Sequence, residues 1–246
     1  MSIRIGTGLS TEADPLRAGT SAGQAAADAL GGAPADLALV FATGSHLVAP
    51  EATLEGVQAT LAPRALVGCG AGGVLGHGRE LERGTALAVW AAALDGGDAT
   101  PFHTTLAGEE PEYHVAGLPS LDGSSGVLGA ESDSGALVVG AQVAPGQVVR
   151  LHARDARSAD EDLRQALKLR VEALAGERPA GALVFTCNGR GSGMFGVADH
   201  DADAIDRELG GAPTAGFFAA GEIGPVGGRS FLHGFTATLA VFPKGS

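Results

Sequence analysis

Cysteine, lysine and long apolar runs are all scarce in this 246-residue chain, and each scarcity narrows what it can be. Cysteine occurs twice, at Cys69 and Cys187. That is too few for a disulfide framework and, unless His or acidic residues complete it, for a structural zinc site. No apolar run approaches the roughly 18 residues of a membrane-spanning helix. The N-terminus, Met1-Ser2-Ile3-Arg4-Ile5-Gly6, lacks the regions of a signal peptide, so the expectation is a soluble, cytoplasmic protein. Lysine is confined to Lys168 and Lys244 while arginine and alanine abound, which points to a GC-rich coding genome. Positive charge is short overall: 16 basic residues stand against 28 acidic ones, a net charge of −12. A surface that negative repels phosphate backbones and anionic lipids, which argues against nucleic acid and membranes as partners. A P-loop is absent. The glycine-dense Gly70-Ala71-Gly72-Gly73-Val74-Leu75-Gly76-His77-Gly78 runs into a polar, charged segment and another strand, not the helix that a dinucleotide fingerprint requires.

Glycine is what the chain has in excess: 40 residues, more than twice the usual share of about 7%. No G-X-Y period accompanies it. The glycines cluster between apolar runs, which implies many tight turns and close backbone approaches. With 45% apolar and 18% charged residues the balance is globular, and the length suffices to bury a core without staples.

The chain repeats itself once. Ala38-Leu39-Val40-Phe41 recurs as Ala182-Leu183-Val184-Phe185, each a short run that reads as a buried strand. The block Gly68 to Gly76 aligns without gaps to Gly216 to Gly224, sharing G-x-x-A-x-G-x-[LI]-G, and Leu87-Ala88-Val89 matches Leu239-Ala240-Val241. Between the blocks, Ile3–Thr7 predicts a strand and Pro15–Leu30 a helix capped by Asp14. Their counterparts are a strand over Val148–His152 and a helix over Asp160–Leu174, with Leu163, Leu167, Val171 and Leu174 on one face. Glu51–Leu61 and Asp199–Leu209 predict a second helix in each half. The fold class is therefore α/β, in a layered α+β sense, with two pseudo-symmetric β-α-β-α-β-β halves. The halves are joined by a hairpin over Val127–Glu131 and Ala136–Val143. The boundary falls near residue 100, giving a first half of residues 1–100 and a second of 101–246.

Chemistry concentrates after the second matched strand, in Thr186-Cys187-Asn188-Gly189-Arg190-Gly191-Ser192-Gly193. Strand carboxyl ends are where ligands collect in α/β sheets, and glycines there turn N–H groups toward an anion. Arg190 offers a planar fork for a carboxylate or phosphate. Cys187 beside it is either a nucleophile of lowered pKa or a small buried hydrophobe. Glu222, between Gly221 and Ile223-Gly224-Pro225, stands at a strand end to take a ligand amine or pair with Arg190. Its counterpart in the repeat is Val74, so the fold itself does not require the carboxylate. Ser45, in Thr43-Gly44-Ser45-His46, and Cys69 are assigned to the lining of the same cleft. The ligand-binding set is thus Cys187, Asn188, Gly189, Arg190, Gly191, Glu222, Ser45 and Cys69. The alternative is an enzyme with Cys187 as nucleophile and Glu222 as acid or base. His200-Asp201-Ala202-Asp203 reads as a helix N-terminal acidic cluster, not a metal site.

Taken together these blocks resemble the FIST domain family in both its N-terminal and C-terminal parts. The N-terminal likeness runs from Gly6 to about Ala93, through Asp36 to Phe41 and Val67 to Gly76. The C-terminal likeness runs from about Ala130 to Phe242, through Val143 to Leu151, Cys187-Asn188-Gly189-Arg190-Gly191 and Gly216 to Pro225. The resemblance implies an intracellular sensory module for small ligands such as amino acids or other small carboxylates. It also implies that haem is a cofactor to test, though no histidine here carries a motif that identifies an axial ligand. The chain looks shorter than typical members and carries no output domain of its own. Signalling through a separate partner protein is therefore implied, and the oligomeric state is left open.

Overall fold

The computed structural model describes residues 3–97, 99–100, 127–139, 144–146, 155–226 and 229–245. The chain forms two compact units: residues 1–103, 155–222 and 234–246 make one, residues 104–154 and 223–233 the other.

The larger unit holds two sheets. The first has the order β1-β6-β2-β3, built from β1 (Arg4–Ser10), β2 (Leu37–Thr43), β3 (Ala65–Gly70) and β6 (Ala86–Ala93). The second has the order β13-β9-β10-β4-β5, built from β4 (Val74–Gly76), β5 (Arg79–Leu81), β9 (Pro179–Cys187), β10 (Thr214–Ala219) and β13 (Ala237–Pro243). Helices α1 (Pro15–Ala29) and α2 (Pro50–Leu61) accompany the first sheet. Helices α3 (Ala156–Ala173), α4 (Ser192–Phe195) and α5 (His200–Glu208) follow in the second half of the sequence. The architecture is mixed α/β.

Strand alternation builds four layers. On β2, Ala38 and Val40 pack with Ala18, Ala22 and Ala26 of α1, while Leu37, Leu39 and Phe41 turn to the opposite face. On β9, Ala182 and Val184 pack with Leu163 and Leu167 of α3 and Ile205 of α5, while Leu183 and Phe185 turn away. Those inner faces meet in one cluster that includes Val74, Ala88, Trp90 and Ala215. Phe217 bridges the two sheets, with its ring centroid 5.0 Å from Phe41 and 5.4 Å from Phe185. Two faces buried per strand explains why these strands read as continuous apolar runs instead of alternating ones. Strand β6 is buried along its whole length.

The two parallel pairs share a register. Val40 faces Gly68 across β2–β3, and Val184 faces Gly216 across β9–β10. Both positions require glycine: an added Cβ would run into the Val40 carbonyl in one pair and the Val184 carbonyl in the other. The third matched block is corrected by the ladders. Val40 sits opposite Val89 and Val184 opposite Leu239, so the counterpart of Leu87-Ala88-Val89 is Ala237-Thr238-Leu239. A shift of two keeps every side chain on its face, so apolar pattern alone does not separate the two alignments.

Strands β4 and β5 leave the first half of the sequence and join the second sheet, with Val74 opposite Phe217 on β10. His77 and Gly78, both at positive φ, close their two-residue turn. Asp14 caps α1 as expected, accepting from the Arg17 N–H at 2.8 Å. Helix α3 begins four residues before the expected start, because Asp155 accepts from Ser158 at 2.9 Å and supplies an earlier cap. The expected strand over Val148–His152 lies outside the described residues.

In the smaller unit, β7 (Val127–Ala130) pairs antiparallel with β8 (Leu137–Val139), and the turn is closed by Glu131 N–H donating to the Ala136 carbonyl at 2.8 Å. Strands β11 (Glu222–Val226) and β12 (Arg229–His233) pair with each other. Among the described residues no helix is long and apolar enough to cross a membrane.

Candidate functional site

The carboxyl ends of β3 and β10 open into a cleft of about 490 Å³. Residues 70–72, just past β3, form one wall. Asn188, the first residue past β9, stands opposite, and residues 217–220 and Leu47 complete the lining. The loop ends are held by the main chain: Ala71 N–H donates to the Ala42 carbonyl at 2.9 Å and Asn188 N–H to the Ala219 carbonyl at 2.8 Å. The Asn188 side chain is left exposed. A Cβ placed on Gly72 would lie 3.2 Å from Asn188 Oδ1, so the two walls approach closely. Among the described residues, no lining residue is charged.

Of the residues expected from sequence, Asn188 lines this cleft, and Cys69 lies exposed beside its β3 wall. Ser45 is exposed and tied to Thr85, whose Oγ1 lies 3.1 Å from both its N–H and its Oγ. Arg190 and Glu222 do not line the cleft; both are buried.

Arg190 is filled from inside the molecule. Its Nε lies 2.5 Å from Asp201 Oδ2 and its Nη2 lies 2.9 Å from Asp201 Oδ1, with side chains only 4% and 1% exposed. The guanidinium sits 5.1 Å from the Phe195 ring centroid and also reaches the Ala159 and Phe235 carbonyls. A buried guanidinium needs a carboxylate, and Asp201 at the head of α5 supplies it. Asp201 also receives the Thr186 hydroxyl at 3.3 Å and contacts His200 Nδ1 at 3.0 Å. His200 is stacked on Phe195 and reaches Asp160 with its other ring nitrogen at 3.2 Å.

Glu222 is 1% exposed. One carboxylate oxygen accepts from Thr236 N–H at 3.2 Å and Thr236 Oγ1 at 2.9 Å; the other has no partner. Burial pushes its carboxyl up, against the pull of Thr236, the Cys187 thiol and the Arg190 charge. Cys187 is buried, and its sulfur accepts from the Gly189 N–H at 3.4 Å. Cys187 and Arg190 both act on Glu222, and none of the three lines the cleft.

Sequence reasoning missed Glu80 and Glu82 on the β4–β5 hairpin. Glu80 is buried, and burial pushes its carboxyl up to about 7 against the hydrogen bonds from Ala202 and Asp201. The legible signal was two acids two residues apart after a His-Gly turn, which places them on one side of the strand.

Among the described residues no group of His, Cys, Asp and Glu is arranged to hold a metal ion. Three of the described histidines, His46, His77 and His200, offer no axial ligand to a haem in this cleft. His46 is fully buried, His77 bonds Thr7, His200 is held between two aspartates, and none of the three lines the cleft.

Residues 86–225, more than half of the chain, match the FIST C domain family. Curated relatives include the uncharacterized protein Rv0628c of Mycobacterium tuberculosis, 56% identical over 117 residues. The uncharacterized protein Mb0898c of Mycobacterium bovis is 55% identical over the same length. Each match covers 48% of this chain and 30% of the relative, so the chain spans only about a third of the relatives it matches. The chain belongs to the FIST C domain family, which is regarded as a family of sensory domains for small ligands.

Proposed function

We propose that this family member is a cytoplasmic sensory protein that takes up a small zwitterion, such as an amino acid, in the cleft at the ends of β3 and β10. The observation that carries the reading is the cleft's position and make-up. It lies where strand carboxyl ends collect ligands in α/β sheets. It offers bare main chain at residues 70–72, an exposed Asn188 and a floor formed by residues 217–220. The amide and the glycine backbone suit a carboxylate, and the alanines at 219 and 220 leave room for a small apolar group. A zwitterion fits better than a free acid, because the lining holds no cation among the described residues, the Arg190 fork is filled by Asp201, and the chain carries a net charge of −12.

The test is a thermal-shift panel of amino acids and short carboxylic acids on the wild type, Asn188→Ala and Gly72→Leu. Ligand at 100 times its Kd stabilises by about 2.7 kcal/mol, well within reach of the assay. An amino acid is expected to raise the wild-type Tm and to lose its effect in both variants. No shift with any amino acid, or a shift preserved in Asn188→Ala, overturns the reading.

A further inference from the structure

The β4–β5 hairpin belongs by sequence to the first half and by pairing to the second sheet, and its two acids reach two helix starts. Glu80 Oε1 accepts from the N–H groups of Asp201 and Ala202, both at 3.0 Å, in the first turn of α5. The N-cap residue itself, Asp199, caps nothing in its own helix. Its Oδ1 instead accepts the Glu80 main-chain N–H at 2.6 Å. This is a capping box split between distant segments, each satisfying the other's orphan donor. Glu82 repeats the arrangement at α4, where its two oxygens take the Ser192 N–H at 2.7 Å and the Ser192 hydroxyl at 2.9 Å. Gly191 permits that approach: its φ is +90°, and a Cβ there would stand 2.9 Å from the Glu82 carboxyl carbon.

Both contacts join segments that run directly on from lining residues of the cleft. Residues 70–73 run into the hairpin, and a Cβ on Gly73 would lie 3.0 Å from Glu82 Cα. Asn188 stands four residues before Ser192. We propose that Glu80 and Glu82 form a two-point latch that holds the Gly70–Gly73 wall against the Asn188–Ser192 wall, so that making or breaking these contacts sets the width of the cleft. Among the described residues, Glu80 Oε2 is buried without a partner. An unmet buried acceptor costs free energy, so the closed latch is held against an opposing term and is poised to release. The latch concerns the cleft assigned above, but its test uses no ligand and stands or falls separately from ligand binding.

The experiment compares wild type, Glu82→Ala, Glu80→Ala, the double alanine variant and Glu80→Gln, all carrying Cys69→Ser. Amide exchange is followed at Ser192, Asp201 and Ala202, and Cys187 is titrated with a chromogenic disulfide reagent. Loss of one cap is expected to speed exchange at the uncapped amides by about fivefold. The double variant is expected to expose Cys187 to the reagent by at least that factor. Glu80→Gln, which keeps an acceptor oxygen, restores slow exchange at Asp201 and Ala202. Unchanged Cys187 labelling in a folded double variant overturns the latch. Should the double variant fail to fold, Glu82→Ala alone decides: faster Ser192 exchange with faster Cys187 labelling supports the latch, and unchanged labelling overturns it.

Discussion

The two matched strands end in tips that solve one problem in opposite ways. Five residues past the ALVF run, the first tip carries His46 and the second Arg190. Both are buried. His46 is pushed toward its neutral form by burial, so its tip needs no counter-charge. Arg190 stays charged and draws in Asp201, and with it the head of α5, His200 and the Glu80 cap. The first tip thus ends in a turn around a buried ring and the second in a network that ties three segments together. A buried charge organises its surroundings; a buried neutral ring only fills space.

That comparison breaks most readily through the ion pair. Arg190→Ala leaves Asp201 buried and unpaired and is expected to lower stability in urea by about 3–5 kcal/mol. His46→Leu at the matched position is expected to cost under about 2 kcal/mol. Equal losses would end the distinction between the tips.

The buried acids Glu80 and Glu222 respond to pH with the opposite sign from His46. Glu80 has a folded value of about 7 against 4.5 when unfolded, so the folded chain binds the extra proton between those values. Its contribution to stability is full below pH 4.5 and is lost as pH rises through 7. At 1.36 kcal/mol per unit this amounts to about 3 kcal/mol. Glu222, also raised, acts in the same direction. His46 is lowered below 6.5, so its contribution is present above 6.5 and is lost as pH falls. The readout is therefore a difference: between pH 5 and pH 8, wild type should lose more stability in urea than Glu80→Gln. Parallel pH profiles of the two proteins would contradict the assignment.

The matched glycines sharpen the likeness between the tips instead of their difference. Gly216→Ala, inside the five-stranded sheet, and Gly68→Ala, on the edge strand β3, both force a Cβ onto a carbonyl. Each is expected to cost about 1–3 kcal/mol by urea unfolding, with the interior position the more costly. The smallest effect is chemical: limited iodoacetamide should add one label per chain, at exposed Cys69, leaving buried Cys187 free. Early labelling of Cys187 would instead favour the enzyme reading.

Much of the fold was legible because both faces of the central strands are buried. Apolar runs such as Ala38–Phe41 and Ala182–Phe185 then stand out, and glycines 68 and 216 mark a shared close approach. The crossing of β4–β5 into the second sheet was not legible, since pairing partners leave no trace in local pattern. The site was half legible. A strand end followed by Cys187-Asn188-Gly189-Arg190 drew attention to Asn188, which lines the cleft. Which charge would meet Arg190 depended on how α5 packs, and Asp201 won over Glu222. Glu222 aligns in sequence with Val74, and both are buried. The Glu222 carboxylate is met locally by Thr236.

The most direct measurement of the central claim is an amide NMR titration of the wild type with an amino acid that raises its Tm. The account predicts that the perturbed signals centre on Gly70, Ala71, Gly72 and the Asn188 side-chain amide. Saturating shifts confined to residues away from the ends of β3 and β10, with those four unmoved, would contradict it.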